Sequence, residues 1–182
     1  MSSVYYYFAA SLPMLGFGNK PPISTEYFLG ECQRLLSPQD YQDIVCALNF
    51  DEENAHNATL KDCHKFERYL RNELVALRAR QFNRDPQPHL HGERGIDVSV
   101  MDALNQVAKS PDPLTTQKIL DQARWQRLGE LGTGHYFDLE FLVIYAMKLK
   151  ILSRHEQIKS DKGVKSFEEY RESFINKKIV YT

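Results

Sequence analysis

Over most of the chain, apolar side chains recur every three or four positions, the period of a helix that buries one stripe. The longest run is Leu60, Cys63, Phe66, Leu70, Leu74 and Leu77, a single seam along about five turns at 3.6 residues per turn. Thr59 precedes it as a predicted N-cap, with Asp62 in the capping-box position, and Arg and Lys crowd the opposite face. A shorter stripe of Phe28, Leu29, Cys32, Leu35 and Leu36 follows Ser24, whose hydroxyl suits an N-cap. Ser37, Pro38 and Asp40 then read as a cap, a first-position proline and a first-turn acid, opening a helix that presents Tyr41, Ile44, Val45 and Leu48. Further helices are predicted over 98–108 and from Asp112 and Pro113 to about Leu131, the latter stopped by Gly132 or Gly134. Asp138 opens the most apolar helix, with Leu139, Leu142, Val143, Tyr145, Ala146, Leu149 and Leu152 covering much of its circumference. That pattern predicts the central core helix. A last capping box, Ser166 with Glu169, stands beside Phe167, Tyr170 and Phe174, and residues 179–182 have no assignment.

The pattern therefore predicts a mainly α protein, a bundle of long antiparallel helices. The strongest helix-breaking stretch is 83–95, with Pro86, Pro88, Gly92 and Gly95. It divides the chain into an N-terminal helical lobe at 1–84, a Pro/Gly-rich loop at 85–96 and a C-terminal helical lobe at 97–182. The opening run of Tyr5, Tyr6, Tyr7, Phe8, Ala9, Ala10, Ser11 and Leu12 fits a short strand or the start of a helix, and periodicity does not choose between them. Its aromatic character predicts that 5–12 is ordered and at least half buried. A secretory signal would need a basic start and an aliphatic run, whereas the first basic residue is Lys20 and Pro13 breaks the segment. Residues 137–152 are interrupted by Asp138, Glu140, Lys148 and Lys150, so no membrane span is expected.

Apolar residues at 42% and charged residues at 26% are ordinary for a globular chain of 182 residues, which has length enough for a substantial core. Cys32, Cys46 and Cys63 are odd in number and fall on predicted helices, so buried thiols of a cytoplasmic protein are expected. The net charge of −1 conceals a division along the sequence. Residues 1–60 carry seven acidic and two basic side chains, a balance of −5, while 61–84 and 148–182 each balance at +4. These segments either form opposed patches that orient the protein between partners or interleave and cancel. A near-neutral chain with no nucleic-acid-binding signature points away from DNA and RNA.

Few residues suggest chemistry. Gly16 and Gly18 lead into Asn19, Lys20 and two prolines, not into a phosphate-binding loop. His89 and His91 in the Pro-rich loop offer imidazole ligands, and a small metal-dependent helical enzyme built on them is one alternative reading, but no CxxC or HExxH accompanies them. Cys63 and His64 are adjacent, which sends them to different helical faces. Asp51, Glu52 and Glu53 lack the spacing of a calcium loop. Trp125, flanked by Arg124 and Arg127, is the candidate partner-binding group, because Trp and Arg dominate interface hot spots; the competing reading is a Trp that fills the core. No catalytic residue, cofactor or metal is assigned, and a helical adaptor remains a second alternative.

The opening Tyr-Tyr-Tyr-Phe-Ala-Ala-Ser-Leu-Pro-Met-Leu-Gly-Phe-Gly, followed by Lys-Pro-Pro-Ile-Ser and the helix at 26–36, resembles a family of uncharacterised bacterial proteins encoded within V/A-type ATPase operons. The stretch 66–79, with Arg71, Asn72, Glu73, Leu74, Arg78 and Ala79, and the helix at 138–152 are similar in character to the long helices of that family. Its members look like diverged relatives of the V-type ATPase C subunit (subunit d in eukaryotes), the helical funnel that couples the central shaft to the membrane rotor ring. The resemblance implies a non-enzymatic cytoplasmic protein, peripheral to the membrane through a complex. Its partners would be shaft and ring subunits, and its work would be ion transport through coupling or assembly. Full-length C subunits are considerably longer and carry three helical lobes, of which 182 residues hold about two.

Overall fold

In a computed structural model of the protein, the structure describes residues 3–49, 56–92, 95, 97–110 and 112–160. Among these the chain is mainly α-helical: α1 (Ser3–Ser11), α2 (Thr25–Leu35), α3 (Pro38–Asn49), α4 (Ala58–Gln81), α5 (Val98–Lys109), α6 (Pro113–Leu131) and α7 (Leu139–Lys159), with a short 3-10 turn at Gln87–His89 and no strand. The acidic run Asp51, Glu52 and Glu53 and the capping box at Ser166 and Glu169, with Phe167, Tyr170 and Phe174, lie outside the described residues.

Helix starts follow from short polar side chains that accept the orphan N–H groups of a first turn. Ser24 Oγ accepts from Tyr27 N at 3.1 Å, Asp112 Oδ1 from Thr115 N at 2.9 Å and Asp138 Oδ1 from Phe141 N at 3.0 Å. Asp97 Oδ1 serves Ser99 N and Val100 N at the start of α5. At α4 the cap is Asn57 instead of Thr59. The Asn57 amide oxygen reaches two donors, Thr59 N at 2.8 Å and Leu60 N at 3.3 Å, and Thr59 is itself buried within the first turn.

Helix α7 is the central element. Leu142, Val143, Ile144, Tyr145, Ala146, Met147, Leu149, Ile151 and Leu152 are all buried, and the helix packs against α1, α2, α3, α4 and α6. Its C-terminal turns continue past that stripe to Lys159 through mainly polar residues, with Ile158 the apolar one among them. Lys150 donates from Nζ to Leu48 O, one of the carbonyls left open at the end of α3, where a cation is favourable. Two apolar cores result. The larger joins Phe8, Phe28, Cys32, Ile44, Leu60 and Leu128 to α7; the smaller joins Phe66 and Leu70 of α4 to Val100 and Leu104 of α5 and Leu120 of α6. Both α4 and α6 thread through both cores, so each half of the sequence contributes to the larger one. The three cysteines are buried and form no disulfide, and burial pushes the Cys32 and Cys63 thiols up to about 12, which leaves them neutral and unreactive.

The opening segment is a helix, and a helix has an inner and an outer face. Tyr5, Phe8, Ala9 and Leu12 follow the i, i+3, i+4, i+7 spacing and turn inward. Phe8 stacks on Phe28 with ring centres 6.0 Å apart, and the Tyr5 hydroxyl donates to Asp40 at the start of α3. Burial and that bond raise the Tyr5 phenol above its ordinary range, so it stays protonated and donating. Tyr145 of α7 donates to Pro13 O at 3.0 Å and closes the segment. Tyr6 and Tyr7, expected to be at least half buried with the rest, are 53% and 72% exposed, because they occupy the helix's other face.

The described part of the Pro/Gly-rich loop touches α4. Asn72, 2% exposed, donates from Nδ2 to His91 O at 2.8 Å and accepts from His91 N at 3.0 Å. Gly95 passes so close to Tyr69 that a Cβ there would lie 2.3 Å from the ring. Asn72→Ala removes both loop bonds and leaves two backbone groups unmatched, so a loss of about 1–3 kcal/mol is expected in urea denaturation. Hydrogen exchange at His91 should accelerate in the same variant; an unchanged exchange rate would show that the loop is held by other contacts.

Candidate functional site

The three residues singled out around Trp125 occupy different settings on α6. Arg124 faces inward, with Nε 2.8 Å from Glu67 Oε2, Nη2 2.8 Å from Glu67 Oε1 and Nη1 2.9 Å from Asp121 Oδ1. Arg71 adds Nε to Glu67 Oε1 at 3.0 Å. Asp121, whose side chain is wholly buried, also accepts from Gln117 at 3.0 Å and Arg154, and meets His155 Nε2 at 2.8 Å. These groups link α4, α6 and α7 between the two apolar cores.

Burial by itself would raise both carboxyls. For Glu67 the hydrogen bonds and charges of Arg124 and Arg71 outweigh it, and for Asp121 the Arg154 charge, the His155 and Gln117 bonds and the Arg124 charge do so. Both therefore lie below the ordinary carboxylate range and are ionised at neutral pH, the condition of a structural network and not of a proton donor. Arg124 is correspondingly committed within the fold. Trp125 is half-buried between the edge of Phe17, at 5.5 Å, and Lys148, whose Nζ stands 5.3 Å from its ring centre. Arg127, partly buried, pairs with Glu130 at 3.1 Å.

A more accessible site lies where α1, the loop after it and the start of α7 meet. Tyr6 contacts Phe137 with ring centres 4.6 Å apart and meets Tyr7 edge-on at 5.7 Å. Tyr7 is 72% exposed, Met14 94% and Tyr136 64%. Met14 and Tyr136 also border a groove of about 400 Å³ whose floor includes Leu12, Phe141, Ile144 and Tyr145, with Lys148 at its side. Exposed aromatics and methionine grouped at a concave apolar surface are the composition of a protein-binding patch. Sequence reasoning did not find Met14, Tyr136 and Phe137 because they lie in loops without periodicity. The available signal was positional: Phe137 immediately precedes the Asp138 cap, a place where an apolar residue usually packs on its own helix, and here it meets α1.

The loop histidines His89 and His91 are both exposed. Among the described residues the grouping with metal-ligand geometry is instead His135, Asp138 and Glu140, whose ligand atoms lie within 4.8 Å of one another. All three are engaged at the start of α7. Asp138 holds His135 Nδ1 at 2.6 Å and Phe141 N, and Glu140 accepts from Asn57 at 3.5 Å. They tie the two N-caps, Asn57 and Asp138, together.

Comparison of the chain with models of protein families and with curated proteins, and of its structure with solved structures, finds no match.

Proposed function

We propose that the protein is a non-catalytic component associated with a V/A-type ATPase, similar to its C subunit, that couples the central shaft to the membrane rotor ring or assists assembly of the two. One observation carries the reading. The N-terminal segment on which the resemblance rests is anchored by Tyr5 and Phe8 yet turns Tyr6, Tyr7 and Met14 to solvent beside a groove. A segment with one face locked into a core and the other aromatic and open suits a role carried out by protein contacts. The central helix packed on five others supplies the rigidity that coupling needs. No described helix is long and apolar enough to cross a membrane, so attachment to the ring would run through the ring's own subunits, with the protein on the cytoplasmic side.

Affinity capture with the tagged full chain should recover shaft or ring subunits. The Tyr6→Ala/Tyr7→Ala/Met14→Ala variant should lose at least about tenfold of that recovery, since single hot-spot truncations cost about 2 kcal/mol or more, with its thermal melt unchanged. Deletion of the gene with no change in ATPase assembly or coupling would overturn the proposal. Capture of other proteins through the same three residues, without shaft or ring, would identify an adaptor outside the ATPase.

A further inference from the structure

A second surface lies between α5, α6 and the end of α7. Its wider part is a cleft of about 420 Å³ between α5 and α6, bordered by Gln106 of α5 and Gln122 and Gln126 of α6, with Phe17 at one side. Its narrower part is a pocket of about 210 Å³ walled by Leu114, Ile158 and Gly18 and rimmed by Lys118, Lys159 and His155. Lys118 lines both, and Phe17 and Gly18 are consecutive, so the two are continuous.

The chemistry of the two parts differs in a directed way. Leu114 is 60% exposed and Ile158 36%, an uncovered apolar pair on two different helices. Lys118 and Lys159 are exposed and take part in no ion pair among the described residues. Among the described residues no carboxylate lines the pocket, and Asp121, which meets His155, is already matched by Arg124 and Arg154. The cleft adds three amide side chains, Gln106, Gln122 and Gln126, and Asp102 is the one acidic residue among its described lining, which also includes Lys118. Glutamine amides both donate and accept, as the backbone of an extended chain requires.

We propose that this surface binds an extended acidic peptide segment of a partner protein. One apolar side chain of the peptide enters between Leu114 and Ile158, flanking carboxylates meet Lys118 and Lys159, and its backbone runs along the glutamines of the cleft. Charge complementarity selects the acidic partner, and the amide-lined extension selects a peptide over a free anion. The inference does not rest on the ATPase reading and would stand if that failed.

The test is fluorescence anisotropy of the full chain against a short labelled Glu/Asp-rich peptide with one central leucine. Saturable binding is expected that weakens as salt rises, because the lysine contacts are exposed and screened. It should be lost with a lysine-rich counterpart, and reduced about tenfold when the leucine becomes serine. Lys118→Glu/Lys159→Glu should reduce it at least about tenfold, and Leu114→Ser should reduce it with the charges intact, both with unchanged melting. NMR shifts should move the Gln122 and Gln126 side-chain amides but not those of residues around Tyr136. Equal affinity for an oligonucleotide or for acetate, insensitivity to the lysine reversals, or no binding at millimolar peptide would each overturn the proposal.

Discussion

Asp121→Ala is expected to lower the unfolding free energy by about 3–5 kcal/mol, the range for removing one partner of a buried ionic network. Gln117, Arg124, Arg154 and His155 all converge on this carboxylate, which has no exposed surface. Without it Arg124, 15% exposed at its side chain, keeps only Glu67 as a counter-charge. Urea denaturation with a common slope measures the loss. Asp121→Asn retains two acceptor directions but no charge, so a smaller loss is expected. The pH dependence has a definite sign. Asp121 and Glu67 titrate below their ordinary values of 3.8 and 4.5 in the folded state, so their contribution is complete above about pH 4.5 and is lost as pH falls through the lower folded-state values. The gap between wild type and Asp121→Asn should therefore narrow in acid. A gap that stays constant from pH 7 to pH 3 would mean that the asparagine acts by shape and not by charge.

The second large effect belongs to α1. Phe8→Ala opens a cavity beside Phe28 in the larger core and is expected to cost about 3–5 kcal/mol. Tyr6→Ala and Tyr7→Ala, on the outward face of the same helix, should each stay within about 0.5 kcal/mol. Chemical denaturation of the three single variants separates the faces. Similar small losses from all three would show that α1 does not dock.

Local chemistry made much of this fold readable in advance. Ser24, Ser37 with Pro38, Asp112 with Pro113 and Asp138 each mark a helix start through a side chain and a backbone group a few residues apart, so no tertiary knowledge is needed. The apolar circumference of α7 announced its central place for the same reason. Asn57 displaced Thr59 as a cap because its amide oxygen accepts from Thr59 N and Leu60 N and so starts the helix two residues earlier, a competition that side-chain type alone does not decide. The charge network was not legible. Glu67 and Arg124 are separated by 57 positions, and Asp121 and His155 by 34, so only the packing of α4, α6 and α7 reveals them as neighbours. The exposed aromatic patch was half legible, since the helical period divides Tyr6 and Tyr7 from Phe8 once the segment is known to be a helix, while Met14 and Tyr136 depend on how two loops approach.

The polar layer between the two cores also sets how the molecule deforms. Apolar side chains tolerate small sliding displacements because their attraction has little direction, whereas a forked arginine–carboxylate pair is sensitive to both distance and angle. Any twist of α4 against α6 must distort the double contact of Arg124 with Glu67, and any shift of α7 must pull His155 and Arg154 away from Asp121. Resistance to sliding of these three helices past one another is thus concentrated in the charged layer, while the apolar cores on either side yield more easily.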